Sequence, residues 1–176
     1  GVDKLVAAGC DLLVIASNTG HICVPAVEVA HPDLRVLHIA DCSAYQLKQL
    51  GIGQVGLVGT QPTMEESYLH DRLALHGITT VIPDEASVRE EIYRIIYEEL
   101  SLNEFRPESR ATVIGAIRAL GAQGVEACIL GCTEIELLVK QQDVPEVVLL
   151  PSAEIHIQFT SDILLGNLSA EEVLPP

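Results

Sequence analysis

The hydrophobic positions of this chain follow two alternating patterns, short aliphatic runs and longer stretches with one apolar face. Continuous aliphatic runs are typical of strands buried on both faces of a parallel sheet, and apolar positions three and four residues apart indicate helices. The runs predict strands over 11–16, 35–39, 54–59, 79–83, 127–131 and 147–150. The amphipathic stretches predict helices over 44–50, 64–76, 87–100, 108–121 and 134–141. Because the two kinds alternate, we expect an α/β fold with parallel sheets flanked by helices.

Part of this pattern occurs twice. The segments that begin at Gly9 and Gly124 align without a gap, and the alignment places Ser17 opposite Cys132. Each copy runs from a glycine through a strand into a motif of small residues, and ligands of open α/β sheets bind at the carboxyl ends of strands. We therefore predict two related lobes in which Ser17 and Cys132 face each other across a cleft. The alternative is that the repeat is only a recurring strand-to-helix turn.

Composition and charge narrow the function classes. The 176 residues carry a formal net charge of −15, which disfavours binding to nucleic-acid phosphates. No apolar run approaches the roughly 18 residues of a membrane span, so no membrane partner is expected. The five cysteines include no Cys-x-x-Cys pair. This usage is typical of a reducing compartment and predicts a cytoplasmic protein.

Two further patterns do not predict sites. The glycines of 51–56 match Gly-x-Gly-x-x-Gly, but they precede or lie within the strand predicted at 54–59. A dinucleotide site needs them between a strand and a helix, so a Rossmann oxidoreductase is rejected. His21 and Cys23 could be two metal ligands, but no third ligand is close in sequence, and no metal site is expected.

Cys132 is the residue best placed for chemistry. It follows a buried strand and precedes a predicted helix, where backbone N–H groups and the helix dipole would lower its pKa from about 8.5. A thiolate there can act as a nucleophile or a general base. The alternative is a buried, inert thiol, which is common for cysteine. That alternative is the expectation for the other four cysteines, Cys10, Cys23, Cys42 and Cys128.

Several motifs, in order, resemble those of the aspartate/glutamate racemase family, within the Asp/Glu/hydantoin racemase superfamily. SNTGH at 17–21 resembles the family's Cys-Asn-Thr-x-His motif with serine in place of cysteine, and GCTE at 131–134 resembles its second cysteine motif. GTQPTM at 59–64 resembles a Gly-Thr-x-x-Thr-Met segment, and Ser109-Arg110 and His156 match two further recurrent positions. The glutamate after Cys-Thr is similar to the aspartate racemase branch.

The resemblance implies an amino-acid racemase, an isomerase that acts on aspartate or glutamate without pyridoxal phosphate or any other cofactor. One residue removes the α-proton and another returns a proton to the opposite face, which implies catalytic roles for Cys132 and Ser17. The partner would be a small dicarboxylic amino acid, bound by a homodimer. The implied substrate-binding residues are Asn18, Thr19, Thr60, Thr63, Thr133, Glu134, Arg110 and His156.

The same resemblance implies two pseudo-symmetric α/β lobes with the active site in the cleft between them. Residues 1–50 together with 150–176 would form the first lobe, and residues 51–149 would form the second. The family's opening strand has no counterpart before Gly1, so we expect an amino-terminally truncated chain with an incomplete first lobe. The family's Asp-Thr-Thr segment before the late histidine reads Pro151-Ser152-Ala153 here.

Ser17 is the departure with the largest chemical consequence. A hydroxyl is a far weaker acid than a thiol and needs an adjacent base, so a bias towards L-substrates is expected. His21 could supply such a relay. Two alternatives stay open: a one-cysteine enzyme of the same superfamily, such as a decarboxylase or cis-trans isomerase of a dicarboxylate, and an inactive, truncated lobe.

Overall fold

The computed structural model describes residues 1–175, and this part of the chain contains ten α-helices and six strands. The strands are β1 (Leu12–Val14), β2 (Arg35–Leu37), β3 (Gln54–Gly59), β4 (Thr79–Val81), β5 (Ala127–Gly131) and β6 (Val148–Pro151). The helices are α1 (Val2–Ala7), α2 (Val24–Ala30), α3 (Ile39–Gln49), α4 (Gln61–Glu65), α5 (Ser67–Leu75), α6 (Ala86–Glu98), α7 (Pro107–Ala122), α8 (Ile135–Leu138), α9 (Ser152–Leu164) and α10 (Ala170–Val173). No helix in this part of the chain is long and apolar enough to cross a bilayer.

The strands form two parallel sheets. β1 pairs with β2, and the other four strands lie in the order β4-β3-β5-β6. On β3 and β5, Val58 and Leu130 face a core cluster covered by α6, α7 and α8, whereas Leu57 and Ile129 face one covered by α3 and α5. Burial on both faces explains the continuous aliphatic runs. The predicted α/β class with helices against parallel sheets is therefore confirmed.

All six predicted strands are present, but several helix boundaries differ from the prediction. Helix α3 begins five residues earlier than predicted, because His38 accepts a hydrogen bond from the Ala40 amide at 3.1 Å and caps it. The helix predicted over 64–76 is two helices, since Glu66 has extended backbone angles (φ −88°, ψ 151°). The helix predicted over 134–141 contains only the four residues of α8, because Val139 is extended.

Helices α2, α9 and α10 were not predicted. In α2 the alternating Val27 and Val29 are typical of a strand and Pro25 disfavours a helix interior, but proline is tolerated in the first turn of a helix. In α9, Ile157 and Leu164 are apolar but exposed, so the apolar positions do not mark one face of a helix. The predicted lobes, 1–50 plus 150–176 and 51–149, stay a prediction, and β6 lies across the boundary at 150.

The sequence repeat has the same backbone geometry in both copies. Gly9 and Gly124 have left-handed φ angles of 89° and 88° after α1 and α7. In each copy the next amide donates to a carbonyl five residues earlier, Cys10 to Leu5 at 3.1 Å and Val125 to Leu120 at 3.3 Å. This is the Schellman ending of a helix. The repeat is therefore a structural unit of helix end, strand and motif.

Candidate active site

A cavity of about 310 Å³ lies at the carboxyl ends of β1, β3 and β5. Ser17 follows β1, Thr60 follows β3 and Cys132 follows β5. Ser17 and Cys132 both line this cavity, as expected from the repeat. The complete lining is Ala16, Ser17, Asn18, Thr19, Thr60, Ile96, Tyr97, Ser101, Gly131, Cys132, Thr133 and Glu134.

Two glycines bring the ends of β3 and β5 together. Gly59 and Gly131 are paired in register. A β-carbon on Gly59 would lie 2.8 Å from the Gly131 carbonyl oxygen, and one on Gly131 would lie 2.9 Å from the Thr63 methyl group. Any side chain at either position would force the strands apart. The glycines therefore allow Thr60 and Cys132 to stand side by side on the cavity wall.

Three threonine hydroxyls form a compact cluster beside this wall. The Thr60 hydroxyl is 2.9 Å from those of Thr19 and Thr63, and Thr19 is 3.4 Å from Thr63. Thr19 and Thr60 line the cavity, whereas Thr63 is fully buried behind them. Thr63 therefore does not line the cavity, contrary to the prediction, but contacts the two threonines that do. Neutral hydroxyl donors of this kind can bind a carboxylate.

The Ser17 hydroxyl is held by backbone alone. Its Oγ accepts the Gly20 amide at 3.1 Å, which leaves the hydroxyl proton free to point into the cavity. A β-carbon on Gly20 would lie 3.2 Å from the β-carbon of Ser17 and 3.0 Å from an Ile15 methyl group. Glycine at position 20 therefore fixes the close approach between this turn and Ser17.

His21 supports the Ser17 turn but cannot relay protons to it. The Ile39 amide donates to its Nε2 at 3.1 Å, so Nδ1 carries the proton and donates to the Ser17 carbonyl at 2.7 Å. Burial lowers the pKa of His21 to about 4, with His156 adding to the effect. The ring is therefore neutral near pH 7 with both nitrogens occupied. The prediction that His21 relays protons to Ser17 is therefore wrong.

Asn18 is anchored from behind by the segment that differs from the family pattern. Its amide donates to the Ser152 hydroxyl at 2.9 Å, and Ser152 in turn donates to the Leu130 carbonyl at 2.7 Å. Asn18 and Ser152 are both almost fully buried. This chain of hydrogen bonds ties the motif after β1 to β5 and to the start of α9.

The environment of Cys132 is opposite to the one predicted. Its thiol donates to the Glu134 carboxylate at 3.0 Å, and burial together with this carboxylate raises the pKa of Cys132 to about 12. Burial alone would raise the pKa of Glu134 too, but hydrogen bonds from Thr133 and Cys132 hold it below the usual value. The predicted lowering fails because α8 has four residues and Glu134 precedes it. Near pH 7 the thiol is therefore protonated and the carboxylate is charged.

Besides Thr63, two residues predicted to bind substrate lie outside the cavity lining. Arg110 on α7 forms an ion pair with Asp143 and donates to the Leu138 carbonyl at 3.1 Å, so its charge is already neutralised there. His156 is buried and bonds to the Leu37 carbonyl at 2.8 Å. Glu134 is the one charged residue of the lining formed by residues 1–175.

Three lining residues were missed by the sequence interpretation. Ile96 and Tyr97 belong to α6, and Ser101 follows in the short turn Leu100–Leu102. No motif marks them, since α6 reads as an ordinary amphipathic helix. Among residues 1–175, no group of three His, Cys, Asp or Glu side chains lies close enough to hold a metal ion.

Most of the chain matches one known protein family. The sequence profile of the Asp/Glu/hydantoin racemase family matches residues 1–160. The chain belongs to this family. The resemblance to this family that the sequence motifs carry is thereby confirmed.

Solved structures of this racemase family match the chain closely. An Asp/Glu racemase candidate from Yersinia pestis is 42% identical with a TM-score of 0.85, and an aspartate racemase homologue from Pyrococcus horikoshii is 31% identical with a TM-score of 0.78. Each match covers 92% of this chain and 70% of the other. Picrophilus torridus aspartate racemase is 24% identical with a TM-score of 0.63, over 98% of this chain and 70% of that one, which supports the shared fold alone.

Proposed function

We propose that this racemase family member interconverts the enantiomers of aspartate or glutamate without a cofactor. One observation carries the proposal: Ser17 and Cys132, equivalent positions of a structural repeat, line one cavity. Removal of an α-proton and its return to the opposite face requires one acid–base group on each side of the α-carbon. We propose further that the enzyme is a cytoplasmic homodimer.

The neutral donors around the cavity are suited to the substrate carboxylates. Thr19, Thr60 and Asn18 present hydroxyl and amide groups near one another. As the α-proton leaves, negative charge spreads from the α-carbon onto the adjacent carboxylate. Fixed donors aimed at that oxygen stabilise the enolate-like state, because they need no reorientation during the reaction.

Glu134 is proposed to bind the α-ammonium group. It is the charged group of the described lining, and its sign attracts an ammonium. An ammonium beside Glu134 would offset the negative field that contributes to the raised pKa of Cys132. The thiol would then lose its proton to solvent only when substrate is bound. The thiolate next removes the α-proton and becomes a thiol again, so the proton balance closes.

Ser17 makes the two faces unequal. Cys132, the residue of the second motif, is proposed to take the proton from L-substrates, and return of a proton from the Ser17 side is slow because a hydroxyl is a weak acid. The chain is therefore proposed to exchange the α-hydrogen of L-substrates faster than that of D-substrates.

A second candidate function follows from the single thiol of the lining formed by residues 1–175. A decarboxylase or cis-trans isomerase of a dicarboxylate could use Cys132 and would not need an acid at Ser17. Incubation of each aspartate enantiomer in D₂O separates these functions from racemisation. A racemase incorporates deuterium at the α-carbon of at least one enantiomer. Incorporation into neither enantiomer contradicts the proposal.

A further inference from the structure

A chain of hydroxyl groups leads from Tyr68, a half-buried residue of α5, to the cavity. The Tyr68 hydroxyl is 3.1 Å from that of Thr63, and Thr63 is 2.9 Å from Thr60, which is 2.9 Å from Thr19. Thr60 and Thr19 line the cavity, whereas Tyr68 and Thr63 do not. Tyr68 is therefore linked to the cavity by hydrogen bonds without lining it.

The direction of the hydrogen bonds along this chain decides what the cavity offers a ligand. Each hydroxyl has one proton to donate. A phenol, with a pKa near 10, is a better donor than an aliphatic alcohol, and burial raises the pKa of Tyr68, so it keeps its proton. If Tyr68 donates to Thr63, the Thr63 oxygen acts as an acceptor there and its proton stays available for donation to Thr60.

A backbone contact leaves the Thr60 proton free for the next step. The Thr63 amide donates to the Thr60 oxygen at 3.4 Å as the cap of α4, so this contact does not use the Thr60 proton. With Thr63 as donor to Thr60, the Thr60 proton is available to Thr19 or to a ligand, and the Thr19 proton is available to the cavity. A carboxylate accepts hydrogen bonds and offers none, so this order matches an anionic ligand.

We propose that Tyr68 is a positioning residue for the substrate carboxylate, acting through Thr63 to set the Thr60 and Thr19 hydroxyls as donors into the cavity. This inference rests on the proposed function, in which these threonines bind a carboxylate. It adds a residue outside the cavity lining that controls affinity. Tyr68 does not take part in the transfer of the α-proton.

Thr63 offers a matched pair of substitutions that separate hydrogen bonding from packing. Its methyl group lies between Gly59 and Gly131, within 2.9 Å of where their β-carbons would stand. Thr63→Val keeps a methyl group there and removes the hydroxyl. Thr63→Ser keeps the hydroxyl and removes the methyl group. Tyr68→Phe removes the first donor of the chain, and Tyr45→Phe, at a ring that packs against Phe159, is the control.

The test measures affinity for succinate, an unreactive dicarboxylate, by calorimetry, together with kcat and KM for deuterium exchange into L-aspartate. Tyr68→Phe and Thr63→Val should each weaken succinate binding by about three- to tenfold, the size of one hydrogen bond, and should lower kcat/KM for exchange at least as much, because the same donors stabilise the enolate-like state. Thr63→Ser should lose less than half as much affinity. The double variant Tyr68→Phe/Thr63→Val should bind no more weakly than Thr63→Val alone, because both changes interrupt one chain.

Unchanged affinity in Tyr68→Phe overturns the inference, and so does an equal loss in Thr63→Ser and Thr63→Val, which would make packing the cause. Additive losses in the double variant also overturn it. These results leave the proposed function intact. A wild-type chain that binds neither succinate nor L-aspartate overturns the proposed function itself, and the inference that rests on it.

Discussion

The two copies of the repeat share a backbone and differ in chemistry. Gly9 and Gly124 end their helices with nearly the same φ angle, and each copy carries its motif to the same cavity. At the end of the first copy, the Ser17 oxygen accepts a backbone amide. At the end of the second, the Cys132 thiol donates to a charged carboxylate. Equivalent positions in a fold therefore need not have equivalent proton affinities, since the neighbouring side chains set them.

The largest expected effect comes from removal of the thiol of the second copy. Cys132→Ala should reduce α-proton exchange of L-aspartate by about 10²- to 10⁴-fold, the usual contribution of a general base. The fold should persist, because the change is small and lies at a cavity wall. Cys128→Ala, within β5 and buried away from the cavity, should lose stability and retain exchange. An exchange rate in Cys132→Ala above about a tenth of wild type contradicts the assignment.

The next largest effect should come from removal of the Glu134 charge, which contacts the thiol of the second copy. Glu134→Gln should lower the pKa of Cys132, because the nearby negative charge contributes to raising it. KM for L-aspartate should rise by about tenfold or more, as expected when one hydrogen bond to a charged group is lost. The thiol can be followed by the pH dependence of its alkylation, with the exposed Cys10 and Cys23 replaced by serine. An alkylation midpoint that stays in place or rises shows that Glu134 does not control the thiol.

The buried histidines of the first copy should make the fold less stable at acidic pH. Burial lowers the pKa of His21 to about 4 and that of His38, against which it packs, to about 2, both below the unfolded value near 6.5. Between pH 6.5 and 4 the unfolded chain binds more protons, so stability falls as pH falls, by up to about 1.4 kcal/mol per pH unit for each histidine. Urea unfolding from pH 7.5 to 4.5 measures this slope. His38→Asn should lower stability at pH 7.5 and flatten the slope, and an unchanged slope contradicts the account.

A smaller effect should follow from crowding the Ser17 turn. Gly20→Ala would place a methyl group 3.0 Å from Ile15 and 3.2 Å from the Ser17 β-carbon, so the turn must shift by a few tenths of an ångström. We expect a loss of about 1 to 3 kcal/mol in unfolding free energy, as for other overpacked sites. Exchange of D-aspartate should change more than that of L-aspartate. Equal changes for both enantiomers would argue that Ser17 does not serve the D-face.

The sequence predicted the strands and most of the cavity, because buried parallel strands and small-residue motifs leave local signals. Seven of the ten predicted site residues line the cavity. Arg110 was misjudged because its pairing with Asp143 joins positions far apart in sequence. The shift in the pKa of Cys132 was predicted in the wrong direction. The carboxylate of Glu134, two positions along the chain, contacts the thiol, and α8 is too short to supply much dipole. Tyr97 and Ser101 carry no local signal, because their helix and turn reach the cavity only through tertiary packing.

The most direct test of the account compares α-proton exchange of both aspartate enantiomers in wild type and Ser17→Cys. The wild type should exchange L-aspartate at least about tenfold faster than D-aspartate, because the first copy lacks a thiol and His21 cannot relay protons. Ser17→Cys should raise exchange of D-aspartate and narrow the difference. Equal rates for the two enantiomers in the wild type, or a Ser17→Cys variant that gains nothing with D-aspartate, would contradict it.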